Sequence, residues 1–191
     1  AMLLAAQGAR VTVFERDGAV GGRTRTVDAP GGYRFDIGPT FFLYPRILRE
    51  IFAACGADLD AEVELLRLDP QYRLVFEGAT PVSIDATPDL ARMEAEVAKL
   101  SPADARGLHA FMADNRAKLA AFRPVLERPF ASLADYFSPE VAKALRHLRP
   151  WASLDQDLRR HFRDPRTRLA FGFQSKYLGM SPFKCPSLFT I

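Results

Sequence analysis

The chain has 191 residues, 48% of them hydrophobic and 26% charged, proportions of a folded globular protein rather than a disordered one. Its net charge of +3 argues for neither a nucleic-acid nor a membrane partner. Cys55 and Cys185 stand far apart with no CxxC and no nearby histidine pair, so neither a disulfide framework nor a metal site is expected, and no segment approaches the ~18 apolar residues of a membrane span.

In chain order, MLLAAQGARVTVFE predicts the end of an amphipathic helix closed by Gly8, a tight turn, and a buried parallel strand through Val11, Val13 and Phe14 that stops at Glu15. The opening AMLLAAQG lacks the basic leader of a signal peptide, and a helix already under way at Ala1 suggests a fragment. TRTVDAPGGYRFDIG predicts two short strands joined at Pro30-Gly31-Gly32. Ile47, Leu48, Ile51 and Phe52 recur at helical spacing, with Gly56 closing the helix. YRLVFEGATPVSID predicts a hairpin with strands over 72–77 and 81–85. Beyond Pro88 the chain reads as mostly helical, with Ser101-Pro102, Ser138-Pro139 and Asp164-Pro165 as helix starts. The last helix runs through Phe173, and Pro182 and Pro186 break the pattern after it. The expected division is a nucleotide-type α/β piece over 1–68 and a mixed, then helical, region over 69–191.

The chemistry concentrates in VTVFERDGAVGGRTRT. In a dinucleotide-binding unit the second strand ends at an acid about 20 residues after a glycine fingerprint, where it accepts hydrogen bonds from a ribose. Glu15 stands where that acid belongs, and counting back puts the first strand and glycine loop just before Ala1. A strand-ending acid also serves plain solvation. Gly21 and Gly22 permit positive φ and close backbone approach, and Arg23 can fork onto phosphate oxygens; alone, the same three residues make an ordinary turn. FDIGPT alone reads as a strand running into a Gly-Pro turn, with Asp36 as turn former.

Taken together, ER(x4)GGRxxT followed by FDIGPT resembles the FAD-binding region of the flavin amine oxidase and phytoene desaturase superfamily. The resemblance implies an α/β fold: a partial FAD-binding Rossmann-like domain, its first strand and glycine loop missing, followed by a mixed, mostly helical substrate domain. It implies FAD as cofactor. Glu15 and Arg16 would lie on the ribose side, Gly21, Gly22 and Arg23 at the diphosphate, and Asp36, Gly38, Pro39 and Thr40 near the isoalloxazine. The late stretch FQSKYLGMSPFKCPSLF is similar to the bacterial carotenoid desaturase branch, where such a run lines the substrate region. The implied reaction moves a hydride from a lipophilic polyene such as phytoene to the flavin, with the isolated fragment inactive. An amine oxidase-like enzyme, a carotenoid isomerase-like enzyme and a non-catalytic remnant remain open. An NAD-dependent dehydrogenase also uses a strand-ending acid, but not GGR followed by D-x-G-P.

PFASLADYF matches a family segment whose aspartate is associated with the active site, which makes Asp135 the catalytic candidate; the family arginine three residues on is Ser138 here. His109, His147 and His161 are scattered and read as helix-surface residues, and Ser175 as a lone serine on a helical run. Residues 141–176 interleave basic side chains with Leu145, Leu148, Trp151, Leu154, Leu158 and Phe162. They read either as solvated helix faces or as a basic surface resting on anionic lipid, which would put a cytoplasmic protein in peripheral contact with the inner face of the membrane. No nucleic-acid motif accompanies them.

Overall fold

The computed structural model describes residues 1–39 and 41–190, and the chain divides into two compact units, Ala1–Arg67 and Leu68–Ile191. It is a mixture of helices and small sheets.

The first unit opens with α1 (Met2–Ala6), which ends as predicted: Gly8 takes φ 86°, its N–H donates to the Ala5 carbonyl and the Ala9 N–H to the Leu4 carbonyl. This paired closure satisfies the carbonyls that a helix end leaves free, and glycine adopts it without Cβ strain. α2 (Pro45–Ala54) closes in the same way, with Gly56 at φ 74° and the Ala57 N–H donating to the Phe52 carbonyl. Arg49 forks onto Asp60 of α3 (Leu59–Glu62) at 3.0 and 2.8 Å, joining these two helices.

Between them, β1 (Thr26–Ala29) and β2 (Tyr33–Asp36) pair antiparallel, Thr26 opposite Asp36 and Ala29 opposite Tyr33. The predicted Pro30-Gly31-Gly32 turn joins them, with positive φ at both glycines. The predicted parallel strand is not formed. Residues 11–15 have no ladder partner among the described residues, and Val13 and Phe14 are 71% and 93% exposed. An apolar run becomes a strand only when a neighbour takes its N–H and C=O groups.

In the second unit β3 (Tyr72–Phe76) and β4 (Val82–Ala86) form the expected hairpin. The helices are α4 (Leu90–Ala98), α5 (Pro102–Ala105), α6 (Leu108–Leu126), α7 (Pro139–Leu148), α8 (Leu154–Leu158) and α9 (Pro165–Gly172). Side-chain oxygens of Asp89, Ser101, Ser138, Ser153 and Asp164 accept first-turn N–H groups at the starts of α4, α5, α7, α8 and α9. The last predicted helix stops at Gly172, and 173–178 tighten into a 3-10 turn.

The core lies where β4, α4, α6 and α8 meet: Ile84, Val97, Leu108, Phe111, Leu154 and Phe162 are buried there. Phe111, Phe162 and Phe171 pack with centroids 5.0–5.1 Å apart. A smaller cluster of Val125, Ala144 and Leu148 sits between α6 and α7. The late segment is tied down by the Ser187 hydroxyl, which donates to the Leu148 and Arg149 carbonyls at 2.7 and 2.8 Å.

Candidate functional site

The glycine-rich loop and the segment after β2 are brought together by the hairpin. At its open end the Thr26 hydroxyl donates to the Asp36 carboxylate at 2.7 Å, and the Ile37 N–H donates to the Arg25 carbonyl at 3.4 Å. One residue further the backbones pack so closely that a Cβ on Gly38 would overlap the Arg23 carbonyl oxygen. The loop itself turns through Gly21 (φ 110°) and Gly22 (φ 53°), and Thr24 closes it by donating its N–H and hydroxyl to the Gly21 carbonyl at 2.9 and 2.7 Å. The space where a Gly22 side chain would stand is open. Arg23 has no hydrogen-bond or ion-pair partner among the described residues, so its guanidinium is available to a ligand.

Glu15 is linked to this loop through its neighbour. One Glu15 oxygen accepts the Asp17 N–H at 3.0 Å, and Asp17 receives the Arg25 guanidinium at 3.2 Å. That ion pair fastens the Glu15 segment beside the loop carrying Arg23, and the other Glu15 oxygen has no partner among the described residues. Arg25 Nε is buried without a hydrogen-bond partner among the described residues. Arg16 is exposed beside Asp17 at 3.5 Å. Asp36, Gly38 and Pro39 follow one another at the end of β2, and Thr40 lies outside the described residues.

Asp135 sits in the 3-10 turn Leu133–Phe137. One of its oxygens accepts the Ala131 N–H, the Ser132 N–H and the Ser132 hydroxyl at 3.0, 2.8 and 3.0 Å, and the other accepts Arg128 at 3.1 Å. Hydrogen bonds from the Ser132 backbone and hydroxyl, aided by Arg128, hold this carboxyl below the usual range. Arg128 also reaches the Ser138 hydroxyl at 3.2 Å, so a cation from elsewhere in the chain occupies the neighbourhood of the position where the superfamily pattern has arginine.

The second unit encloses an apolar cavity of about 250 Å³, lined by Tyr72, Leu74, Ile84, Met93, Met112 and Phe171 among others. At its edge Gln174 donates to the Tyr72 hydroxyl at 3.3 Å, and burial pushes the Tyr72 phenol up. The cavity has the character of a lipophilic-ligand site but is smaller than one that encloses a whole drug-sized molecule.

Sequence reasoning missed a buried charge cluster. Lys118 on α6 is 1% exposed; its ammonium contacts Asp157 and Asp114, the latter at 3.0 Å, and donates to the Thr190 hydroxyl at 3.2 Å. Arg149 forks onto Asp114 at 2.8 and 3.1 Å and reaches Asp157 at 2.6 Å. Burial alone would raise the Asp114 carboxyl, but hydrogen bonds from Arg149 and Lys118 outweigh it and hold the group well below the usual range. His161, expected on a helix surface, is instead largely buried in the turn after α8, 3.6 Å from Asp114; burial lowers its pKa and the aspartate opposes that. Ser175 is likewise buried, its hydroxyl spent on the Gly172 carbonyl at 3.0 Å. No group of metal ligands occurs among the described residues. No helix there is long and apolar enough to cross a membrane.

These features define a class. The sequence profile of the flavin containing amine oxidoreductases matches residues 1–190, and the chain belongs to that family of oxidoreductases. Within it, the chain is 37% identical over its whole length to a 4,4'-diapophytoene desaturase (4,4'-diapolycopene-forming) of Methylomonas sp. It is also similar, at 38% and 33% identity over its whole length, to an all-trans-zeta-carotene desaturase of Myxococcus xanthus and a phytoene desaturase (neurosporene-forming) of Rhodobacter capsulatus. The chain spans 36% of the length of each of these relatives.

Proposed function

We propose that the chain contributes the cofactor-clamping loop and part of the substrate region of an FAD-dependent desaturase acting on a lipophilic polyene such as phytoene. The observation that carries this reading is the cradle formed by the Gly21-Gly22 turn and Arg23, whose backbone packs against Gly38 and whose guanidinium has no partner among the described residues. Its bare glycine backbone, open face, free guanidinium and orphaned Arg25 Nε suit an anionic, phosphate-bearing group. In that role Arg23 would donate to diphosphate oxygens, Glu15 would accept from ribose hydroxyls, and Asp36, Gly38, Pro39 and Thr40 would lie toward the flavin ring. The flavin, when bound, supplies the hydride acceptor. The residues of this chain bind and orient; Asp135, with its carboxylate filled by donors, is a positioning residue in this reading rather than a proton carrier. The two units would then correspond to part of a Rossmann-like FAD-binding domain, completed by a strand and glycine loop upstream, and a substrate-binding region.

The names of the relatives support a polyene as substrate, and the apolar cavity would take one part of such a chain. Peripheral contact with the inner face of the membrane is part of the same proposal. Trp151, 76% exposed, lies beyond α7, which carries Lys143 and Arg146 without ion-pair partners among the described residues. The test is to purify the full-length protein, measure bound flavin from its visible absorption, and supply a colourless polyene under turnover conditions. Retained flavin with growth of longer-wavelength absorption supports the reading. A protein that never takes up flavin, or that oxidises amines but not polyenes, refutes it.

A further inference from the structure

A second cavity, of about 410 Å³, lies on the opposite chemical extreme: it is polar, and its lining is Asp104, Arg106, Arg159, Arg160, His161 and Arg163, with Ala103. Two contacts build it. The buried Asp104 carboxylate accepts the Arg163 and Asp164 N–H groups, both at 2.8 Å, which pins the turn after α8 against the end of α5. Gly107 then approaches the His161 carbonyl so closely that a Cβ would overlap it, so any larger residue there would push the two segments apart. The result is that Arg106, from one segment, stands with Arg160 and Arg163 from the other.

Such a gathering of like charge is unfavourable unless something offsets it. Arg159 is satisfied by Asp155 at 2.6 Å. Arg106, Arg160 and Arg163 have no ion-pair partner among the described residues, and all three are exposed. Asp104 has spent both oxygens on backbone N–H groups, so its charge offsets one guanidinium without binding it. The four lining guanidinium groups, less Asp104 and an Asp155 that Arg168 also reaches at 3.2 Å, leave a surplus of at least two positive charges. Arg106 caps the carbonyl end of α5 and Arg159 that of α8, so each sits where a helix end favours a cation, but the two ends are brought together only by the Asp104 and Gly107 contacts.

We propose that this cavity binds a phosphate group, whose roughly two negative charges and ring of acceptor oxygens match the surplus and the forked donors. The phosphate belongs either to a soluble ion or phosphorylated small molecule, or to the headgroup of an anionic lipid. The inference does not rest on the flavin reading: the site lies wholly within the second unit, away in sequence from the glycine loop.

The experiment titrates inorganic phosphate into the full-length protein at ionic strength fixed with chloride. A parallel arm measures sedimentation with phosphatidylcholine vesicles containing phosphatidic acid. Both are repeated with Arg106→Gln/Arg160→Gln/Arg163→Gln, with Arg163→Gln alone, and with a control of equal charge change at exposed arginines outside any proposed site, Arg10→Gln/Arg67→Gln/Arg123→Gln. The expected result is saturable binding that the triple variant weakens by about tenfold or more and the single variant by less, with the control unchanged. Saturation by inorganic phosphate identifies a soluble source, and capture only by phosphatidic acid identifies the lipid. The proposal is overturned if wild type and triple variant bind alike in both arms, or if the control loses as much as the triple variant. Flavin content is measured alongside. It stays unchanged if the two sites are separate, so failure here leaves the flavin reading standing, and failure of that reading leaves this one.

Discussion

Gly38 and the Arg23 carbonyl oxygen occupy adjoining space that admits no side chain between them. Their contact locks the glycine-rich loop to the segment after β2, and so fixes where Arg23 begins. Gly38→Ala should therefore displace the loop and lower both flavin content and melting temperature. Gly22→Ala provides the contrast: its side chain would meet open space, and only its φ of 53° opposes the change. That costs about 1 kcal/mol. Flavin-to-protein ratios of the two purified variants test the distinction, and equal loss in both would contradict it.

Arg23→Gln should weaken FAD binding by about tenfold or more while leaving thermal stability unchanged, because the guanidinium has no partner among the described residues to lose. Arg25→Gln should behave differently, since it breaks the tie to Asp17 and loosens the Glu15 segment. Fluorescence titration of the flavin-stripped protein reads the first effect, and limited proteolysis between residues 9 and 21 reads the second.

Lys118→Met removes one buried cation and leaves Asp157 and Asp114 to share Arg149, with His161 3.6 Å from Asp114. Breaking a buried ionic set in this way costs about 3 kcal/mol or more. Lys118→Met combined with Asp157→Leu should recover part of that, because no lone charge stays behind. Urea denaturation of the single and double variants measures the difference, and a double variant less stable than the sum of its parts would exclude the explanation.

The same cluster sets a pH dependence. The folded-state pKa of Asp114 is depressed, so its contribution is present above the unfolded carboxylate value of about 4 and is lost as pH falls through the lower folded value. His161 is also depressed, by burial; the unfolded chain protonates it first, so stability begins to fall below about pH 6.5. Melting temperature should decline in two stages between pH 7 and pH 3, and His161→Gln should remove the upper stage only.

Asp135→Ala should lower the melting temperature, because four hydrogen bonds converge on that carboxylate. Asp135→Asn keeps the size and part of the acceptor capacity, and should retain turnover in the full-length enzyme. Lost turnover with an unchanged melting temperature would assign Asp135 to the chemistry instead.

What the sequence disclosed follows from how local each signal is. The Gly8 and Gly56 closures, the two hairpins and the Ser-Pro and Asp-Pro helix starts depend on residues within a few positions, and all of them appear. The strand expected over 11–15 depends on a distant ladder partner, which hydrophobicity alone does not specify. Lys118 lies in a helix where lysine ordinarily faces water, and its burial is decided by Asp157, 39 residues away. Of the candidate site, the positive φ at Gly21 and Gly22 was readable from the glycines themselves. The overlap forbidding a side chain at Gly38, and the meeting of Arg106 with Arg163, belong to pairings that no local pattern encodes.

In the interior of the second unit, Lys118 and Arg149 are cancelled by Asp114 and Asp157, leaving a quadrupole whose influence dies within a few ångströms. The far field felt by an approaching ion is consequently written by the charges at the surface. Salt should therefore slow the capture of anions without softening the fold, since screening reaches the rim and not the middle.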